Sequence, residues 1–165
     1  MKKLLFILII LLQACTDQPE GMFVMGGIDI SVLDENGTDL LSPNSGSTKA
    51  IDVDKIQIYY IIDGKEVPYE SVVPESTETY IQLSHPKGYY LLYPEGKYTN
   101  YRLGVFVDTQ SKEDITKTII QWDANHRDLI EAKVERDDNS VAATKFWLNG
   151  TLVDELNGEP LEIRR

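Results

Sequence analysis

The run Ile130-Glu131-Ala132-Lys133-Val134-Glu135-Arg136 alternates apolar and charged side chains without a break. Successive residues of a strand point to opposite faces. The pattern therefore places Ile130, Ala132 and Val134 on a core and Glu131, Lys133 and Glu135 in solvent. Asp137-Asp138-Asn139 follows, a cluster of turn residues, and a second strand begins near Val141. That strand reaches Phe146-Trp147-Leu148, meets Asn149-Gly150, and is followed by Thr151-Leu152-Val153. Asn-Gly tolerates positive φ at both central positions, which is what a two-residue type I′ hairpin needs.

The same period of two recurs towards the N-terminus. Ile28, Ile30 and Val32 alternate with Asp29 and Ser31. Ile56, Ile58, Tyr60 and Ile62 interleave with Gln57, Tyr59 and Ile61, and Tyr101, Leu103, Val105 and Val107 with Arg102, Gly104 and Phe106. Asp63-Gly64 predicts another tight hairpin, and Asn36-Gly37, Lys87-Gly88 and Glu95-Gly96 mark further reversals. Ser42–Asp54 and Pro68–Thr79 show no alternation and read as longer loops. No window sustains apolar residues at helical spacing. Short strands separated by turn clusters predict an all-β fold, a sandwich of two antiparallel sheets, with a closed barrel as the alternative.

The N-terminus has a different character. Met1-Lys2-Lys3 leads into the apolar stretch Leu4–Leu12 and then Gln13-Ala14-Cys15, the order of a secretory signal ending on a small residue. The apolar stretch would rise only about 13 Å as a helix, against a hydrocarbon core of roughly 30 Å, so a membrane-spanning anchor is excluded. Leu-x-Ala-Cys resembles a bacterial lipobox, in which the chain is cut before the cysteine and the cysteine carries lipid. That reading explains the one cysteine of the chain, which a plain secretory signal leaves as an unpaired thiol. Residues 1–14 are thus predicted to be a signal peptide, 15–25 the lipidated Cys15 and a tether, and 26–165 one domain.

Without residues 1–14 the chain keeps 14 basic and 27 acidic residues, a net charge of −13. Nucleic acid is a poor partner for such a polyanion, because its binding rests on phosphate neutralisation. Anionic lipid surfaces also repel it, so membrane attachment falls to the acyl chains on Cys15.

Asp29-Ile30-Ser31-Val32-Leu33-Asp34, with Gly37 and Asp39-Leu40-Leu41, then Lys55-Ile56 and Ile58-Tyr59-Tyr60, form one group of motifs. Thr118, Ile120 and Trp122, then Lys145, Trp147, Asn149-Gly150 and Leu152-Val153, form a second. Together they resemble a group of small uncharacterised lipoproteins from Bacteroidetes. The resemblance implies a single sandwich domain, immunoglobulin-like or transthyretin-like, at the outer membrane. It brings no catalytic or binding residues with it. Asp17 and Glu20 make a sparse version of the acidic run that directs surface display in that phylum, leaving both the surface and the periplasmic face open.

Signals for catalysis are sparse. Ser84 and His85 are neighbours, and neighbours on a strand face opposite ways. There is no Gly-x-Ser-x-Gly, and His85 and His126 lack metal-ligand spacing. Asp34–Asp39 places oxygen ligands around a glycine but lacks the closing glutamate of an EF-hand. The expectation is a non-enzymatic binding or assembly module with no cofactor and no metal. A structural component of a fimbria-like assembly and a glycan-processing enzyme are the alternatives. The one concentration of recognition chemistry is aromatic: Tyr89, Tyr90, Tyr93, Tyr98 and Tyr101 surround the turn Pro94-Glu95-Gly96. Tyr90, Tyr93 and Tyr98 are the candidate ligand-binding residues, for a glycan first and a protein partner second. Ordinary core packing is the competing role for these rings.

Overall fold

The alternating stretches are strands in the computed structural model, which describes residues 23–72, 85–153 and 158–165. The predicted signal segment, Cys15 and Ser84 lie outside the described residues. Eleven strands follow one another among the described residues: β1 (Phe23–Met25), β2 (Gly27–Leu33), β3 (Gln57–Ile62), β4 (Lys65–Pro68), β5 (Tyr89–Leu92), β6 (Arg102–Phe106), β7 (Ile115–Gln121), β8 (Arg127–Arg136), β9 (Ser140–Leu148), β10 (Thr151–Val153) and β11 (Leu161–Arg164). A 3-10 turn, Val53–Lys55, precedes β3, and one turn of α-helix, α1 (Tyr69–Val72), follows β4. The larger sheet runs β1-β9-β8-β7-β3-β4, with β10 also paired to β9. The smaller runs β11-β2-β6-β5. The fold is a β-sandwich, and neither sheet closes into a barrel.

Period two fixes the inner faces. Ile130, Ala132 and Val134 of β8 are buried, and so are Ile28, Ile30 and Val32 of β2, Ile58 and Tyr60 of β3, and Leu103 and Val105 of β6. Trp122, just beyond β7, sits in the same core at 1% exposure. Asn149 (φ 50°) and Gly150 (φ 79°) both adopt positive φ, as the type I′ hairpin demands. Asp63 and Gly64 do the same between β3 and β4.

Beyond Phe23–Met25, which ends the predicted tether and forms strand β1 against β9, two features depart from the sequence reading. The sheets are not wholly antiparallel: β1 runs parallel to β9, and β11 parallel to β2. The chain leaves the larger sheet at Met25, passes Gly26 and enters the smaller one at Gly27, so β1 lies at an edge of the larger sheet and β2 inside the smaller one, between β11 and β6. Side-chain alternation is identical in parallel and antiparallel strands, so the pattern carries no sign of this. The second departure is Tyr69, in a stretch read as loop. It is 3% exposed, meets Tyr60 edge-on at 5.6 Å between centroids, and stacks with Phe106 at 6.4 Å.

Loop carboxylates are spent on backbone. Asp34 Oδ1 accepts from Asn36 N–H and Thr38 N–H, and Asp39 accepts from Leu41 N–H and Tyr101 N–H. The segment considered for calcium is therefore a turn closed by its own acids. Asp123 and Asp137 close two other turns in the same way. Their hydrogen bonds, from Thr38 N–H to Asp34, from Asn125 N–H to Asp123 and from Asn139 N–H to Asp137, hold all three carboxyls below the usual aspartate value. A lowered folded-state pKa gives stability that is complete above the unfolded value and lost as pH falls through the folded one. The urea midpoint is expected to hold steady above about pH 5, and to decline from about pH 4 downwards. A midpoint unchanged down to about pH 2 would contradict this assignment.

Candidate functional site

The smaller sheet offers the more unusual surface, and its sequence shows why. β6 reads Arg102-Leu103-Gly104-Val105-Phe106, and its outward residues are an arginine, a glycine and a phenylalanine. Tyr90 of β5 pairs with Gly104 and lays its ring across it, so that a Cβ there would lie 2.3 Å from the ring. Gly104 is thus the seat of Tyr90. His85 and Phe106 flank the same ring at 4.8 and 5.6 Å between centroids.

The five tyrosines divide between roles. Tyr89 turns inward, is buried, and donates its hydroxyl to Val53 O at 2.7 Å. Burial, with the charges of Asp54, Asp52 and Glu70 behind it, pushes its pKa up to about 12. Tyr90 is half-buried in the aromatic row just described. Tyr93 is 68% exposed and leans on Tyr101, 5.5 Å between centroids. Tyr98 is half-buried; the Arg102 guanidinium lies 3.9 Å from its ring centroid, and its hydroxyl donates to Gly158 O. The predicted reversal holds Tyr98 in place: Glu95 and Tyr98 exchange backbone hydrogen bonds at 3.0 and 3.1 Å across Gly96.

Of the three candidate residues, the structure brings two together. Tyr90 and Tyr93 line an open groove of about 930 Å³ alongside β5. Ile51, Val53 and Asp54 of the long loop form its far wall, and Lys87 its end. Tyr98 lines a separate pocket of about 290 Å³. The loop wall was not visible in the sequence, because Ser42–Asp54 carries no period; only the isolated apolar Ile51 and Val53 hint that part of it packs.

β5 borders the groove with its backbone. Among the described residues it pairs only with β6. Phe106 N–H donates to Gly88 O, and the register then turns the N–H and C=O of Tyr90 and Leu92 towards β6. Those of Tyr89 and Leu91 face the groove. The edges at β4 and β11 carry Lys65, Glu66 and Pro68, and Glu162 and Arg164, whereas β5 has no charge.

Histidine chemistry follows the turns. His85 O accepts from Gly88 N–H, and its ring lies tilted against Tyr90. His126 Nδ1 lies 2.7 Å from Asp123 in the exposed β7–β8 loop. No group of three or more metal-ligating side chains occurs among the described residues.

No protein-family model, curated protein or solved structure matches the chain. The reading of this site therefore rests on its geometry alone. No helix among the described residues is long and apolar enough to cross a membrane.

Proposed function

We propose that this chain is a lipid-anchored, non-enzymatic binding module of the bacterial cell envelope that holds a glycan in the groove beside β5. The observation that carries the reading is Tyr93, a flat ring 68% exposed on a groove that Tyr90 also lines. Tyr101 supports Tyr93 from one side. Asp54, His85 and Lys87 supply acceptors and donors around the rings. Sugar stacking needs an aromatic face and no basic surface, which suits a chain of net charge −11. Attachment rests on the lipobox-like segment at Cys15.

Two results test the reading. On a glycan array the protein is expected to bind a defined set of structures. Tyr93→Ala should lose that binding while keeping its free energy of unfolding in urea within about 0.5 kcal/mol of wild type, as an exposed substitution does. Absence of binding to every glycan, or binding untouched by Tyr93→Ala, would remove the groove from consideration. Separately, Cys15→Ser should move the protein from membrane to soluble fractions or block its processing, because acyl chains provide the attachment. Normal processing and fractionation of that variant would end the lipoprotein reading.

One observation favours a second reading, assembly by strand addition. The groove-facing N–H and C=O groups of Tyr89 and Leu91 form an uncharged edge of the kind such addition uses. It predicts slowed hydrogen exchange at the Tyr89 and Leu91 amides when an extended peptide partner is present, and glycan binding predicts no such change.

A further inference from the structure

Arg102 occupies an unusual position for a strand arginine. Its side chain is 10% exposed, on the outer face of the smaller sheet. Asp29 on the neighbouring strand accepts from Nη1 at 2.8 Å. Tyr98 covers the guanidinium at 3.9 Å, and Nε is enclosed with no hydrogen-bond partner. An arginine carries five N–H donors in a fixed fork, and Asp29 is the one acceptor among the described residues. A buried guanidinium this poorly satisfied adds little to a sheet. It is well suited to a floor on which a polar ligand rests.

That floor exists. Arg102 and the buried Ser31 hydroxyl line the pocket of about 290 Å³. Thr99 and Asn100 supply further donors and acceptors at its rim, and Glu159 and Glu162 supply carboxylates. The size lies just below the roughly 300–1,000 Å³ typical of small-molecule pockets, which leaves room for one small ring. Its charges are balanced. Arg102 is paired with Asp29, Lys97 with Glu159, and Arg164 with Glu162. A ligand with a net charge meets no uncompensated partner there. One that presents hydroxyls alternately as donors and acceptors meets both kinds at once.

We infer that this pocket binds a single neutral sugar ring, separately from the groove beside β5. The ligand class rests on the glycan reading above, while the site does not. Tyr98 has a positioning role, holding the guanidinium flat against the sheet so that its free edge meets the sugar.

The test is a titration of isotope-labelled protein with the methyl glycosides of glucose, galactose, mannose and N-acetylglucosamine, followed by NMR. At least one glycoside should shift the Ser31, Thr99 and Asn100 amides and the Arg102 Nε–H in a saturable way. Ser31→Ala should weaken that binding roughly 5-fold, the worth of one hydrogen bond. Arg102→Lys should weaken it further, since the fork geometry is lost. Should Arg102→Lys fail to fold, Ser31→Ala and the wild-type shifts still decide the matter. Saturable shifts caused by glucuronate or acetate but by no neutral glycoside would overturn the inference. So would neutral glycosides that shift Tyr93 and Tyr90 while the pocket amides stay still, an outcome that leaves the groove reading standing. Tyr93→Ala distinguishes the two sites, because it should abolish groove shifts and leave pocket shifts intact.

Discussion

Asp128→Ala is expected to cost roughly 3–5 kcal/mol, the range for breaking a buried ion pair by removing one partner. The Asp128 carboxylate is 11% exposed and has three donors from three separate parts of the chain. Trp122 Nε1 donates to Oδ2 at 2.8 Å, Asn149 Nδ2 to Oδ1 at 2.9 Å, and Arg165 Nη2 to Oδ2 at 2.5 Å. Arg165 also lies over the Trp122 ring at 5.2 Å, and its N–H donates to Leu33 O. Alanine would leave the indole N–H in a 1% exposed core without an acceptor. It would also free the Asn149 side chain, whose Oδ1 accepts from Leu129 N–H and helps to seat the β9–β10 turn. Asp128→Asn keeps the size and one acceptor, so it should cost about half as much. Equilibrium urea unfolding of both variants decides the point. A loss below about 1 kcal/mol for Asp128→Ala would show that solvent already serves these donors.

Gly88→Ala should rank second, at roughly 2–5 kcal/mol, the sum of a left-handed conformation and overpacking. Gly88 has φ +80°, where an L side chain is strained. A Cβ at this position would also lie 2.6 Å from Tyr69 Cγ, the ring atom nearest the backbone of a residue 3% exposed. Tyr69 cannot swing aside cheaply, since Tyr60 and Phe106 flank its ring. The two contributions separate in a double-mutant cycle. Tyr69→Ala alone is destabilising, but it removes the Cγ and Cδ atoms that a Cβ at position 88 would meet, so in its background Gly88→Ala should cost only the backbone strain, about 1–2 kcal/mol. Equal costs of Gly88→Ala in both backgrounds would mean that the ring does not contribute. Gly88 ends the turn that launches β5, so this variant should also disturb the groove, whereas Asp128→Ala acts at another part of the fold.

The two sites were legible to different degrees. The Pro94–Gly96 turn and its tyrosines stood out because tyrosine density and turn residues are local properties. Which ring faces out was half legible: parity separates Tyr89 from Tyr90, but places Tyr93 with the buried Tyr89. Tyr93 escapes burial because it follows the last paired residue of β5, beyond the cover of the opposite sheet. Arg102 was read as an ordinary solvent-facing strand residue. Its cover comes from Tyr98 and its counter-ion from Asp29, 73 residues away, and no local pattern records a meeting of that kind.

The sequence by itself determined most of the longer strands, most reversals and their inner faces, because period two and turn chemistry are written residue by residue. Ile130, Ala132 and Val134, and the positive φ of Asn149 and Gly150, needed nothing from the rest of the chain. Tertiary structure alone decided which strands are neighbours beyond the hairpins, that β1 and β11 run parallel to their partners, and that β5 is at an edge among the described residues. It also decided that Tyr69 enters the core and that Asp128 gathers the distant donors Asn149 and Arg165 beside the nearby Trp122. The physical reason is that alternation specifies which face of a strand is buried but not against what. Pairing partners are selected by the best collective burial of many such faces, an energy shared across the whole domain and held by no single segment.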